Sequence, residues 1–73
     1  MKDSSIDAFS KRLRGAIEAS GLTDTAVKHL VRVTGTPFSK WIDAEGYPSA
    51  LHLIALSEVL SVSIDWLLTG ESP

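Results

Sequence analysis

Residues 23–43 constrain the chain most, because they hold two short apolar periods separated by a break. The first period places Val27, Leu30 and Val31 on one face of a helix. The second starts at Pro37, which fits a first helical turn because its missing N–H costs nothing there. Two helices joined by so short a segment must cross steeply. The pattern therefore predicts a helix-turn-helix pair.

This pair carries its own cap and its own apolar skeleton. Thr23 precedes the first helix and can act as its N-cap, with its hydroxyl accepting from a free backbone N–H. Phe38, Trp41 and Ile42 share one face of the second helix. Val33 is expected to fill the angle between the two helices. Phe38 and Trp41 are therefore predicted to be buried.

Local signals divide the rest of the chain into three more helices, which gives an all-α, compact bundle of five short helices. N-caps are predicted at Ser4 or Ser5, Thr23, Ser49 and Ser63. Gly21 and Gly70 are expected in the left-handed conformation that ends a helix. The buried faces are predicted to be Phe9, Leu13, Ala16 and Ile17 on the first helix and Leu53, Ile54, Leu56 and Leu60 on the fourth.

The chain resembles the phage-repressor (Cro/CI-like, lambda-repressor-like) helix-turn-helix family from about Phe9 to Glu71, without gaps. Gly21-Leu22-Thr23 is similar to the family's GLS at the first motif helix, and Pro48-Ser49 to its PS at the fourth helix. The segment 62–71, VSIDWLLTGE, is very close to the family's closing VSLDWLLTGE. The family's five apolar core positions are occupied by Val27, Val31, Val33, Phe38 and Trp41.

Two residues depart from the family pattern. The family has a small Ala at Lys28, where the two motif helices touch, and a turn Gly at Arg32. A Lys stem can lie along apolar surface with its charge in water, whereas an Arg at positive φ is strained. The departures predict that the second helix is rotated, or that the turn is opened by one residue, with Ala26 and Leu30 sharing the contact.

Length and composition limit the class of protein. At 73 residues the chain has room for one domain, with an ordered core over about residues 5–70. No window approaches the roughly 18 apolar residues of a membrane span, and residues 1–7 lack the apolar core segment of a signal peptide, so we expect none. We therefore expect a cytoplasmic protein without a membrane partner. In the family the WLLTGE ending is often followed by a second, oligomerising domain, so the chain is consistent with the N-terminal domain of a longer repressor.

Charge is unevenly distributed, although the net charge is only −2. Residues 9–42 hold six Lys or Arg against two acidic residues, whereas residues 43–73 hold five acidic residues and no Lys or Arg. Such a molecule can present a positive face to phosphate and its acidic side to solvent. The alternative is a domain with uneven charge and no functional meaning.

The resemblance implies which residues meet DNA, because the family's second motif helix lies in the major groove. The implied base-reading residues are Thr34, Gly35, Thr36, Ser39, Lys40 and Asp43. The backbone-contact candidates are Lys11, Arg12, Arg14, Thr23, Lys28, Arg32 and Tyr47. Lys28 and Arg32, four apart, are expected to share a face of the second helix. Asp43 either accepts from a cytosine amino group or lies outside the groove, and Thr36 has helix capping as its alternative.

The apolar composition of the last predicted helix indicates a homodimer contact. Its apolar residues are more than a short helix can bury on one stripe, and the surplus is expected to form an exposed dimer contact. These dimer-interface candidates are Ile64, Trp66, Leu67 and Leu68. The alternative is that all four pack into the core. A homodimer, at least on DNA, would require an inverted-repeat operator with half-sites about one helical turn apart.

Other kinds of site find little support. His29 and His52 have no ligand pattern around them, and both are expected on exposed helix faces. The absence of cysteine excludes disulfides and thiolate metal sites. No nucleophile motif or Gly-rich phosphate loop is present. We therefore expect no metal, no cofactor and no enzyme activity.

The sequence thus predicts a sequence-specific DNA-binding transcription regulator, a phage or prophage repressor or its DNA-binding domain. The alternative is a helix-turn-helix scaffold that serves as a protein–protein interaction module without binding DNA.

Overall fold

The computed structural model describes residues 3–33 and 37–71. Within these ranges the regular structure consists of five α-helices, which confirms the predicted all-α bundle. They are α1 (Ile6–Ser20), α2 (Asp24–Val31), α3 (Pro37–Ile42), α4 (Ala50–Leu60) and α5 (Ile64–Thr69). In the described ranges, no helix combines the length and the apolarity needed to cross a lipid bilayer.

The predicted helix ends are confirmed wherever a local rule defines them. Ser5, rather than Ser4, caps α1, and its hydroxyl accepts from the backbone N–H of Ala8 at 3.2 Å. The other confirmed N-caps are Thr23, Ser49 and Ser63. Gly21 and Gly70 end α1 and α5 at φ 77° and 80°, a conformation that glycine adopts without a steric penalty.

The end of α2 keeps a tight turn despite its arginine. Arg32 itself adopts the left-handed conformation, at φ 62°. The N–H of Val33 then donates to the carbonyl of Lys28 at 3.1 Å, and Val33 enters the core at 6 % exposure. Leu30 is 52 % exposed, so its expected share in the interhelical contact is wrong. The left-handed conformation therefore strains the backbone of Arg32, and the same turn places Val33 in the core.

Helix α1 is the centre of the packing, because α3, α4 and α5 all contact it, whereas α2 packs mainly on α4. The predicted stripe of α1 is confirmed. On α4, Leu56 and Leu60 are buried, but Ile54 is 46 % exposed, so its predicted inward position is wrong. Helix α4 is apolar on nearly every side, and periodicity cannot select the buried face of such a helix.

Two buried aromatic side chains anchor α3. Phe38 and Trp41 are each 3 % exposed, with ring centroids 5.8 Å apart. The ring of His52 lies 5.3 Å from that of Trp41, and its Nδ1 lies 3.1 Å from the Ser49 hydroxyl oxygen. The expectation of an exposed His52 is therefore wrong, since the imidazole is half-buried against Trp41. This contact joins α3 to the start of α4.

Replacing Trp41 with alanine should lower the free energy of unfolding by about 3–5 kcal/mol, because it empties the contact between α3 and α4. The matched control is Leu51→Ala on α4, where the side chain is 79 % exposed. That control should change the free energy by less than about 0.5 kcal/mol. Urea unfolding followed by circular dichroism measures both, and equal effects would contradict the assigned burial.

Replacing Arg32 with glycine should raise the free energy of unfolding by about 1 kcal/mol. The change relieves left-handed strain of about 1–2 kcal/mol and costs about 0.5–1 kcal/mol in unfolded-chain entropy. Arg14→Gly, an exposed position inside α1, is the control and should lower the free energy by about 1 kcal/mol. Thermal unfolding of the two variants should shift in opposite directions. A loss of stability in Arg32→Gly would show that the arginine side chain stabilises the turn.

Candidate nucleic-acid interface

The outer side of α3 presents the predicted base-reading residues that the structure describes. Ser39 and Lys40 are exposed on α3, and Asp43 is exposed directly after it. Their inward neighbours, Phe38 and Trp41, fix which side of the helix faces out. The other three candidates, Thr34, Gly35 and Thr36, lie outside the described residues. Helix α3 therefore combines a rigid apolar side with a polar exposed side.

The chain after α3 folds back beside Lys40. The N–H of Glu45 donates to the Lys40 carbonyl at 2.8 Å, after a left-handed Ala44 at φ 60°. A Cβ added at Gly46 would lie 3.9 Å from that of Lys40, so the loop runs along the lysine stem. Asp43 and Glu45 are both exposed here. Lys40 is thus accompanied by two carboxylates, which lowers the local positive potential.

A buried serine fixes the C-terminal end of α3 against α1. Ser10 is 2 % exposed, and its hydroxyl donates a hydrogen bond to the carbonyl of Ile42. Sequence analysis missed this residue, because a serine within an apolar stripe gives no signal of its distant acceptor. The bond sets the position of α3 relative to the basic residues of α1.

An open cleft of about 330 Å³ brings several predicted residues together between α1 and the end of α3. Lys11 and Arg14 line it from α1, and Asp43 lines it from the end of α3. Two backbone-contact candidates therefore adjoin one base-reading candidate. Their charges are mixed, since Asp7 lies on the same rim.

The remaining backbone-contact candidates are spread over α2 and its ends. Thr23 is exposed, but its hydroxyl already accepts from the N–H of Ala26 at 3.1 Å. Lys28 is half-buried, as a stem lying along apolar surface requires. Arg32 is exposed beyond the last turn of α2, so the expectation that it shares a helix face with Lys28 is wrong. Helical periodicity no longer applies once the backbone turns left-handed.

Arg12 is engaged within the fold. Its Nε donates to the Leu67 carbonyl at 3.0 Å, and its Nη2 donates to the Asp3 carbonyl at 2.6 Å. The N–H of Asp3 donates in turn to the carbonyl of Thr69 at 2.8 Å. The half-buried guanidinium therefore joins the start of the described chain to the end of α5. Its predicted DNA contact stays a prediction, and its donors have acceptors inside the fold.

The side chain of Tyr47 also contacts the N-terminal segment. Its ring lies 5.1 Å from that of Phe9, and its hydroxyl donates to the Ser4 carbonyl at 3.2 Å. The side chain is still 47 % exposed, so the predicted contact of Tyr47 with the DNA backbone stays a prediction. The sequence gives no signal for the Ser4 acceptor, which lies 43 residues away.

The Asp3 carboxylate belongs to the same segment. Its Oδ1 accepts from the N–H of Ser5 at 3.0 Å, and this hydrogen bond holds the pKa of Asp3 below its ordinary value. Arg12 and Lys11 lower the pKa of Asp3 further, while partial desolvation opposes them. A lowered folded-state pKa means that the contribution to stability is present at neutral pH and is lost as the pH falls through that pKa.

Of the four dimer-interface candidates on α5, three remain partly accessible and one is buried. Leu67 is fully buried in the core, so its assignment to an exposed interface is wrong. Trp66 and Leu68 are half-buried against the core, and Ile64 is also half-buried. The buried face of a one-and-a-half-turn helix is wider than a single stripe here, because α1 and α4 cover it from two sides.

Metal ligands do not cluster in the described part of the chain. Within residues 3–33 and 37–71, no three His, Asp or Glu side chains are placed to hold one metal ion. His29 is exposed, as predicted, and His52 stacks on Trp41.

Comparison with known proteins gives one informative similarity. The chain is 35 % identical over 63 residues to the HTH-type transcriptional activator BcrR of Enterococcus faecalis. The match covers 86 % of this chain but only 31 % of BcrR, so the chain spans about a third of that protein's length. No protein-family model matches the chain, and no solved structure does.

Replacing Arg12 with alanine should lower the free energy of unfolding by about 2 kcal/mol, because two carbonyls lose a charged donor. The control is Arg14→Ala, two residues further along α1 and exposed. It should change the free energy by less than about 0.5 kcal/mol. Urea unfolding compares them directly. Equal stability of the two variants would remove the structural role assigned to Arg12.

Proposed function

We propose that this chain binds double-stranded DNA sequence-specifically and acts in the regulation of transcription. The observation that carries the proposal is the construction of α3. Its inner side is held by Phe38 and Trp41, and its outer side presents Ser39 and Lys40. The similarity to a protein named as an HTH-type transcriptional activator supports the same function.

Exposed positive charge supports binding to phosphate. Within the described residues, five basic side chains take part in no ion pair, so their charge is available to a polyanion. They are Lys11, Arg14, Lys28, Arg32 and Lys40. Neutralising phosphates releases counterions, and this release supplies most of the non-specific affinity for DNA. The acidic total of the chain is outweighed locally, because most of its carboxylates follow residue 42.

In this proposal, contacts with bases and contacts with phosphates are made by different helices. Helix α3 enters the major groove, where Lys40 donates to guanine O6 and N7 and Ser39 bonds a base edge or a phosphate. The cations of α1 and of the α2 end contact phosphates and fix the register of α3. Asp43 faces a cytosine amino group or stays outside the groove. Arg12 is left out of this set, since its donors bond Leu67 and Asp3.

The direction of regulation is a finer part of the proposal. The resemblance to phage repressors favours a repressor, in which occupancy of an operator blocks a promoter. BcrR is named as an activator, and the same DNA contact serves activation when the site lies beside the promoter. One short recognition helix reads too few base pairs to select a site in a genome. We therefore include a homodimer on an inverted repeat in the proposal, acting by binding without catalysis.

An alternative function is that of a protein-interaction module. Exposed apolar side chains on α2 and α4 favour it, since Leu30, Leu51 and Ile54 are 52 %, 79 % and 46 % exposed. The two carboxylates beside Lys40 also weaken the attraction of α3 for phosphate. The basic side chains without ion pairs favour DNA.

DNA binding is tested by selecting duplexes from a random pool and measuring their affinity against salt concentration by fluorescence anisotropy. Affinity should fall steeply with salt. Lys28→Ala and Arg32→Ala should weaken all duplexes about equally and each lower the salt slope by roughly one unit. Lys40→Ala should instead change which sequences are preferred. Glu58→Gln, on the exposed side of α4, is the charge-changing control and should leave sequence preference unchanged.

Two outcomes of this experiment would contradict the proposal. If no duplex from the pool shows salt-dependent binding, the DNA proposal is wrong and the interaction module is favoured. If Lys28→Ala changes the preferred sequence while Lys40→Ala does not, then α3 is not the reading helix.

A further inference from the structure

A second concave surface of the domain is lined mainly by apolar and small side chains. A groove of about 700 Å³ runs between α1 and the junction of α4 with α5, and it opens to solvent. Its lining is largely apolar, and Lys11 is the one residue of the proposed phosphate contacts that also lines it. The lining residues used below are Gly15, Ala16 and Ala19 on α1 and Leu60, Val62 and Trp66 on the other wall.

The α1 wall of this groove permits close approach. Gly15 and Ala19 are exposed one turn apart, and no atom lies within 4 Å of a Cβ added at Gly15. Trp66 is half-buried and lines the opposite wall. A helix laid along Gly15 and Ala19 would therefore reach both the α1 backbone and Trp66.

Two opposite charges flank the small residues of α1. Lys11 and Glu18 are seven residues apart, so they project within about 20° of each other on the helix. Both are exposed and, among the described residues, neither takes part in an ion pair. If two α1 helices run antiparallel about Gly15, Lys11 of each copy meets Glu18 of the other. The arrangement is self-complementary, as a two-fold interface requires.

Other charges of α1 do not oppose this arrangement. Arg14 projects about 100° away from its neighbour Gly15 and lies on the cleft side, towards α3. Arg12 lines the groove, but its donors are turned to the carbonyls of Leu67 and Asp3. Lys11 lines the groove, and Glu18 lies beside it next to Ala19. Asp7 projects to the same side as Glu18, but it lies near the start of α1, on the rim of the cleft.

The groove also lies away from α3. Ser10, which bonds the end of α3, and Ala19, which lines the groove, are nine residues apart on α1. Nine residues correspond to about half a turn, so the groove and α3 occupy opposite sides of the helix. A chain seated in the groove leaves Ser39 and Lys40 exposed.

From these observations we propose that a second copy of this chain docks in the groove, with α1 antiparallel to α1 and two reciprocal Lys11–Glu18 ion pairs. Trp66 of each copy then covers Gly15 and Ala19 of the other. The interface differs from one made by α5 alone, since it uses only Trp66 among the four apolar residues of that helix. It rests on the homodimer of the proposed function and uses Lys11, one of the proposed phosphate contacts. Because it is tested without DNA, its failure can be distinguished from a failure of DNA binding.

Sedimentation equilibrium of the 73-residue chain without DNA tests this interface. The parent should show a concentration-dependent monomer–dimer equilibrium. Lys11→Glu and Glu18→Lys should each weaken dimerisation about tenfold, because each replaces two attractions with two repulsions. The double variant with both reversals should recover affinity close to that of the parent. Glu58→Lys makes the same charge change as Glu18→Lys on the far side of α4 and should leave dimerisation unchanged.

A steric variant completes the test. Ala19→Arg fills the groove and should leave the chain monomeric, while its circular dichroism spectrum and melting temperature stay close to those of the parent. A parent that remains monomeric up to roughly 1 mM would overturn the proposal. So would a double charge reversal that is no better than the single variants. A parent dimer that is insensitive to Ala19→Arg places the interface elsewhere and also refutes the proposal.

Discussion

The fold depends on the burial of one side of α1. Phe9 and Leu13 are fully buried there, and α3, α4 and α5 each pack on this helix. Burying one such side chain contributes about 1.5–3 kcal/mol, and small domains have few of them. Helix α2 packs mainly on α4, and the end of α3 is fixed to α1 by Ser10. The orientation of the proposed reading helix therefore follows from the core of the bundle as well as from the turn that precedes it.

The same helix separates the surface into regions of different chemistry. One side of α1 faces the mixed-charge cleft beside α3, and the other faces an apolar groove ending at Trp66. Lys11 lines both and lies on the ridge between them. A single helix can thus serve a contact with a polyanion on one side and a contact with protein on the other, because its polar and small residues fall on different faces.

Sequence predicted the parts of the structure that depend on neighbouring residues. The caps at Thr23 and Ser63 were predicted correctly, since each needs only a donor three residues away. Contacts between distant residues gave no such signal, as the acceptors of Arg12 and Tyr47 show. Leu30 was misplaced for another reason. Its spacing marks an apolar face but not how much of that face a neighbouring helix covers.

At Arg32 the backbone adopts positive φ, which is unusual for an arginine, because the burial of Val33 offsets the strain. Sequence reasoning expected the chain to avoid positive φ at an arginine, by rotating α2 or by opening the turn. The strain of about 1–2 kcal/mol is comparable to what burial of Val33 contributes, and the turn also provides hydrogen bonds at the helix end. For the proposed site, the structure could test the placement of Ser39, Lys40 and Asp43, which are exposed as a reading surface requires. The affinity of these side chains for DNA bases also depends on the DNA sequence, which the sequence of the protein does not give.

The hydrogen bond from Asp3 to Thr69 brings the two ends of the helical bundle together. In topological terms the five helices form a closed ring, in which no helix has a privileged place as first or last. A chain in which these two residues are joined by a short linker, and which is opened instead in the exposed loop after α3, would retain every helix–helix contact. The bundle is thus suited to circular permutation, which changes the helix that begins the chain but keeps the cyclic order of the helices.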